Sequence, residues 1–400
     1  MGLCITACRC PFQPTLSTDF GPLPALGFRH LPQASKLEAM KITTPQQPIR
    51  TPGDILANIP GILGFFPAES IVLISIEPTP AGRTMGPVAR IDLSDVPAAL
   101  PEIMSAFHCG NPEVVLGFII SQREEVELWE MIESLYHFED DEGTGIDACW
   151  LVEEIATSTA YDLVFGFSTG NGKGPMHAWT EGTIPAISTS SSMRACVENG
   201  TLPELSRDEL VQQFAPHNPY FGHEEIGSMQ RCAEELSRQM RAGHGYGTTD
   251  PTRVVQHLIA DVQYVLSEVE TLEETLDNEE LLCVGAMWMS TTWMRDLVIR
   301  DLVESPHAAG TLLLATARTF GGTIRYNALA LFAATQVAQK FGLYAGPALT
   351  VALDEAPGHN LSQLIAQAYR SGMGERLITS LSRGCDAARE AAGIDADGFV

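Results

Sequence analysis

TPGDILANIPGILGFFPAESIVLISI, residues 51–76, holds a capped helix, a stiff turn and a buried strand in one stretch. Thr51 ahead of Pro52 places a hydroxyl acceptor at a helix N-cap and a proline at the first helical position, where a missing N–H is harmless. Ile55, Leu56 and Ile59 then recur at helical spacing. Pro60 and Gly61 weaken that helix, and Gly64, Phe65, Phe66 and Pro67 make an aromatic turn. Ile71, Val72, Leu73, Ile74 and Ile76 follow as an almost unbroken apolar run, which predicts a strand covered on both faces.

Downstream the pattern alternates strands and helices, with strands predicted over 71–77, 88–93, 114–120, 148–153 and 163–167. The link after Pro78 is too short for a helix, so the first two strands are expected to form an antiparallel hairpin. A helix is predicted over 124–136, with Val126, Trp129, Ile132, Leu135 and Tyr136 facing the sheet and Glu125, Glu127, Glu130 and Glu133 in water. The stretch 168–222 is rich in Gly, Ser, Thr, Pro and Asn and reads largely as connection. Helices then dominate. One starts at Asp250 and Pro251 and carries Leu258, Val262, Val265, Val269 and Leu272, and a second spans 279–303 with Trp288, Trp293 and Met294 as core bulk. Short Gly and Pro links separate the helices after Gly321, and the run 342–357 is similar to the second helix of a tetratricopeptide unit. It occurs once, without the repeat of about 34 residues that a solenoid needs.

The expected fold class is therefore α/β, a mixed-sheet domain followed by an all-helical domain with helical hairpins. The expected boundaries are a disordered tail over 1–45, an α/β domain over 46–185, an irregular linker over 186–222, a helical domain over 223–375 and a partly helical tail over 376–400. Prolines and the lack of helical period set the tail apart, and Met40 is a second candidate for the start of translation.

Several of these residues carry a resemblance. Gly64, Phe65, Pro67 and Ser70 match a Gly-Phe-x-Pro-x-x-Ser turn, Ala89, Arg90, Ile91, Asp92 and Leu93 an Ala-Arg-x-Asp-Leu strand, and Ser206 to Leu210 a Ser-Arg-Asp-Glu-Leu segment followed by Ala215 and Pro216. Together they resemble an uncharacterised actinobacterial family, domain of unknown function 4192. The resemblance implies relatives but no activity.

Composition excludes more than it selects. The 400 residues, 45% hydrophobic, suffice for two cores. Lys and Arg total only 24 against 50 acids, and the resulting net charge of −26 opposes a nucleic-acid or anionic membrane partner. The apolar runs are too short and too broken to span a bilayer. Nine scattered cysteines without a Cys-x-x-Cys pair fit reduced thiols in a cytoplasm.

Motifs with chemistry are few. Residues 170–174, GNGKG, depart from a phosphate loop in spacing and in lacking the Ser or Thr after lysine. His217, His223 and Glu224 lie among prolines and glycines without the spacing of a metal-binding helix face, and Cys4, Cys8 and Cys10 lack a partner histidine. No metal and no cofactor is expected. Arg90 and Asp92 share one face of a strand and, with Asp54 and Ser70, make a candidate ligand site; the plainer reading is an ion pair that fixes the hairpin. The function expected first is binding of a protein partner, or of a second copy, through the helical domain, with Tyr344 marking the surface. The alternative is a small-molecule sensor or enzyme using Asp54, Ser70, Arg90 and Asp92.

Overall fold

The structure is a computed structural model and describes residues 4–6, 49–79, 82–108, 112–140, 143–166, 179–198, 200–339, 342–371 and 373–394. The tail expected over 1–45, apart from residues 4–6, and the glycine-rich segment 170–174 lie outside these.

Helix α1 (Pro52–Leu63) starts as its sequence demands. The Thr51 hydroxyl accepts from the Asp54 N–H, and the Asp54 carboxylate accepts from the Thr51 N–H at 3.0 Å, a closed capping box. The helix runs through Pro60 and Gly61 and ends at Gly64, whose φ of 85° is the left-handed cap that glycine adopts without strain.

A mixed sheet follows. Strands β2 (Ser70–Thr79) and β3 (Gly82–Asp92) form the expected antiparallel hairpin. β4 (Val114–Ile120) pairs antiparallel with β2 and parallel with β5 (Ala148–Val152), and β6 (Ala160–Phe165) and β7 (Glu181–Thr183) extend the far edge antiparallel. β1 (Cys4–Thr6) lies beside β3, giving the order β1-β3-β2-β4-β5-β6-β7. Alternation splits the strands between two cores. Val72, Ile74, Val88, Phe118 and Trp150 face α1, while Ile71, Leu73, Ala89, Ile91 and Ile119 face α2 (Val96–His108) and α3 (Glu125–Tyr136).

The structure corrects the predicted face of α3. Leu128, Ile132 and Leu135 are its buried residues, and Val126, Trp129 and Tyr136 are exposed. The predicted set ran at a strict spacing of three from Val126 to Leu135, which drifts about 60° around the helix at every step; the spacing of four then three from Leu128 stays on one face.

The segment expected as a linker over 186–222 contains helices α4 (Ser191–Glu198) and α5 (Arg207–Gln212). α4 is held against α1 by Asn58: the Ser192 N–H donates to its side-chain oxygen at 2.9 Å and the Ser192 hydroxyl to its carbonyl at 2.8 Å. A Cβ on Gly61 would lie 2.5 Å from the Ser192 hydroxyl, so only glycine permits this approach.

The helical region comprises α6 (His223–Arg241), α7 (Pro251–Ser267), α8 (Leu272–Asp277), α9 (Glu279–Met289), α10 (Thr292–Glu304), α11 (Pro306–Thr319), α12 (Gly322–Ala338), α13 (Ala345–Glu355), α14 (Asn360–Arg370) and α15 (Gly374–Ala391). Two helices expected as continuous are broken by side-chain caps: the Thr271 hydroxyl accepts from Glu274 N–H before α8, and the Thr291 hydroxyl from Met294 N–H before α10. α15 carries the helical region past the boundary expected at 375, with Leu377, Cys385 and Ile394 in the same core as α12.

Candidate functional site

The structure brings three of the four predicted ligand residues together. Ser70 and Asp92 are paired across the hairpin, and Arg90 lies on the same face of β3 beside Val72. The buried Arg90 guanidinium ion-pairs with Asp92 at 2.5 Å, reaches the Ala68 carbonyl at 3.4 Å and lies 5.9 Å from the Phe65 ring centroid. Asp54 is elsewhere. Its carboxylate closes the capping box and accepts from Arg50 N–H at 2.9 Å, about 15 Å along the helix axis from Gly64 at the other end.

Glu69, which sequence reasoning passed over, is the organising residue of the cluster. Its φ of 43° is the left-handed region, unusual for a residue with a Cβ. One carboxylate oxygen accepts from the Ser121 hydroxyl at 3.0 Å and the Gln122 N–H at 3.1 Å; the other pairs with Arg123 at 2.9 Å. Its carbonyl accepts from Leu93 N–H at 3.1 Å. Glu69 therefore ties the start of β2 to the ends of β3 and β4. Nothing local signals this, because its side-chain partners lie more than fifty residues away and it falls on a variable position of the turn motif. The charges of the cluster pair with one another at the sheet end, while Ser70 Oγ and Arg90 Nε are buried without a hydrogen-bond partner among the described residues.

Tyr344 lies in the short helical turn Gly342–Tyr344 ahead of α13 and is half-buried. It packs against both the helical core and the α1 core. Burial and the nearby Glu204 raise its phenol pKa, and it is bonded to Gln213 and Thr201. The neighbouring Leu343 closes on Gly64, where an added Cβ would come within 2.9 Å of it. Tyr344 is thus part of the seam between the two regions rather than a free surface.

A second polar cluster sits inside the helical region. Arg295 donates to Asn327 Oδ1 at 2.7 Å, Asn327 Nδ2 donates to the Met289 carbonyl at 2.8 Å, and His359 Nε2 lies 3.2 Å from the same Asn327 oxygen. The other His359 nitrogen caps α14, accepting from the Ser362 N–H at 3.4 Å and the Ser362 hydroxyl at 2.7 Å. The ring is therefore neutral, with its proton on Nε2. Burial, then the Arg295 charge, lowers its pKa below the ordinary 6.5. On acidification the unfolded chain takes the proton first, so the contribution of His359 is complete above about pH 6.5 and is lost as pH falls from there toward the lower folded value. The urea midpoint is expected to fall between about pH 7 and pH 5, and His359→Gln to flatten that part of the profile. An unchanged slope in the variant would show that other groups set the acid sensitivity.

Among the described residues no group of three or more His, Cys, Asp or Glu side chains is arranged to hold a metal. No helix among them is long and apolar enough to cross a membrane.

The surface that sequence reasoning assigned wrongly is the outer face of α3. Val126, Trp129 and Tyr136 are 74%, 55% and 62% exposed. Trp129 and Tyr136 are two helical turns apart on one flank, and the Tyr136 ring stands edge-on to Phe165 of β6 at 5.4 Å, which anchors that end to the sheet. The signal was present in the order of residues, since Leu128 competes with Val126 for the core.

An α/β region with a mixed sheet, closed by a polar clamp and packed on a helical region, defines the class. The model of the family described as Domain of unknown function (DUF4192) matches residues 52–376, and the chain belongs to that family. No curated protein and no solved structure matches it.

Proposed function

We propose that the protein acts by binding another protein through the outer face of α3, in a cytoplasmic setting consistent with its scattered cysteines. The observation that carries this is the exposure of Val126, Trp129 and Tyr136 on one helix. Single exposed apolar residues are ordinary, but a Trp and a Tyr two turns apart on one flank of a helix are the residue types that dominate binding energy at interfaces. The helical region gives the α/β layer a large support, with Tyr344 in the seam rather than at the contact. The ligand-pocket alternative has weaker support, since Asp54 serves as a cap and Asp92 engages one end of the Arg90 guanidinium; what favours it is that Ser70 Oγ and Arg90 Nε are buried without a hydrogen-bond partner among the described residues.

Trp129→Ala tests the reading. With more than half of the side chain in water, the substitution is expected to change stability by less than about 0.5 kcal/mol. Affinity purification from the native host is expected to recover a partner with the wild type and to lose it with Trp129→Ala at equal melting temperature. Recovery of the same chains with both proteins would place the contact elsewhere.

A further inference from the structure

We infer that the α3 face docks a basic segment of another protein, its Lys or Arg side chains set between the Trp129 ring and the flanking carboxylates. This rests on α3 being the docking face and names the chemistry of what docks there.

The argument is the distribution of charge on one helix. α3 carries Glu125, Glu127, Glu130 and Glu133, all exposed, with Glu124 at its N-cap and no Lys or Arg in its length. Glu125 and Glu133 stand one turn below and one turn above Trp129, and Glu130 one turn above Val126, so carboxylates flank the exposed apolar residues along the helix. Helix stability accounts for Glu125 and Glu127, which sit in the first turn where the dipole favours anions, but not for the glutamates that follow. Glu127, Glu130 and Glu133 form successive like-charge pairs at a spacing of three, and Glu133 lies in the last turn, where the helix dipole disfavours anions. The base preceding the helix, Arg123, is paired with Glu69. A partner that brings cations relieves the repulsion, and the exposed indole offers them a π-face as well.

The same charges select against other occupants. A second copy meeting this face symmetrically would set these glutamates against themselves, in a chain whose net charge is already −26. Nucleic acid and anionic lipid meet the same repulsion.

The test uses the full chain in its native host with a photo-crosslinking residue at position 126, on the rim of the patch, and reads the captured segment by mass spectrometry. The expected adduct is a segment of another protein with more Lys and Arg than Asp and Glu. Its yield is expected to drop about tenfold when Glu125→Gln, Glu130→Gln and Glu133→Gln are combined, and to fall with added salt. An adduct to a second copy, to an acidic or neutral segment, or one indifferent to the triple substitution would overturn the charge inference while leaving α3 as a docking face. Absence of any adduct would overturn the docking reading itself.

Discussion

Arg325→Ala is expected to lower the folding free energy by about 2–4 kcal/mol, from the buried carbonyls it strands and the cavity it opens, since its ionic partner Glu355 keeps 35% of its side chain in water. Arg325 is 2% exposed on α12 and uses its guanidinium four times. Nε and Nη2 donate to the two Glu355 oxygens at 2.7 Å each, Nη1 to the Ala317 carbonyl at 2.5 Å and Nη2 to the Phe214 carbonyl at 2.8 Å. One side chain therefore joins α11, α12, α13 and the segment after α5, so it fastens the end of the presumed linker to the helical region. Truncation strands two buried carbonyls and a carboxylate and opens a cavity. Arg325→Met keeps the volume and removes the charge, and is expected to recover part of the loss while still stranding the acceptors. Urea unfolding measures both; a loss below about 1 kcal/mol for Arg325→Ala would mean that the guanidinium is dispensable to the seam.

The parts of this fold that could be read in advance are those decided by local chemistry. Thr51 and Pro52 announce the start of α1, Gly64 its end, and the run from Ile71 to Ile76 the central strand, because cap, φ and burial are each met by neighbours in sequence. The hairpin was legible for the same reason, and so was the juxtaposition of Arg90 with Asp92, which follows from strand alternation. What escaped depends on distant partners. α4 is polar and short, and it is a helix because Asn58 and Gly61 of α1 hold and admit Ser192. Glu69 acquires its role from Ser121, Gln122 and Arg123, and Tyr344 from Gln213 and Thr201 on the other side of the seam. The breaks before α8 and α10 were legible in principle, since Thr271 and Thr291 are good caps, but a continuing apolar period outweighed them. Asp54 illustrates the reverse error: a carboxylate three residues after a threonine cap is first of all the second half of a capping box.

Trp150→Ala is expected to cost about 3–5 kcal/mol, the penalty of emptying a large aromatic site in a packed core. Trp150 is fully buried on β5, stacks on Phe118 of β4 with ring centroids 5.2 Å apart, and sits 5.9 Å from the Trp179 ring. Its indole N–H donates to the Trp179 carbonyl at 2.7 Å, so the same side chain holds the segment leading to β7. Trp150→Phe retains most of the contact and loses that hydrogen bond, which should reduce the cost to about 1–2 kcal/mol. The position also separates stability from docking. Trp150 points toward α1, whereas Ile119 and Cys149 point toward α2 and α3 on the other side of the sheet. Below its melting temperature Trp150→Phe should therefore retain the α3 contact at wild-type yield, while Trp129→Ala loses the contact at wild-type stability. Crosslinking yield from position 126 beside a melting curve measures both for each variant. Parallel loss of the two quantities in Trp150→Phe would mean that the α3 face depends on the packing beneath the opposite side of the sheet, and that docking is a property of the whole layer rather than of one helix.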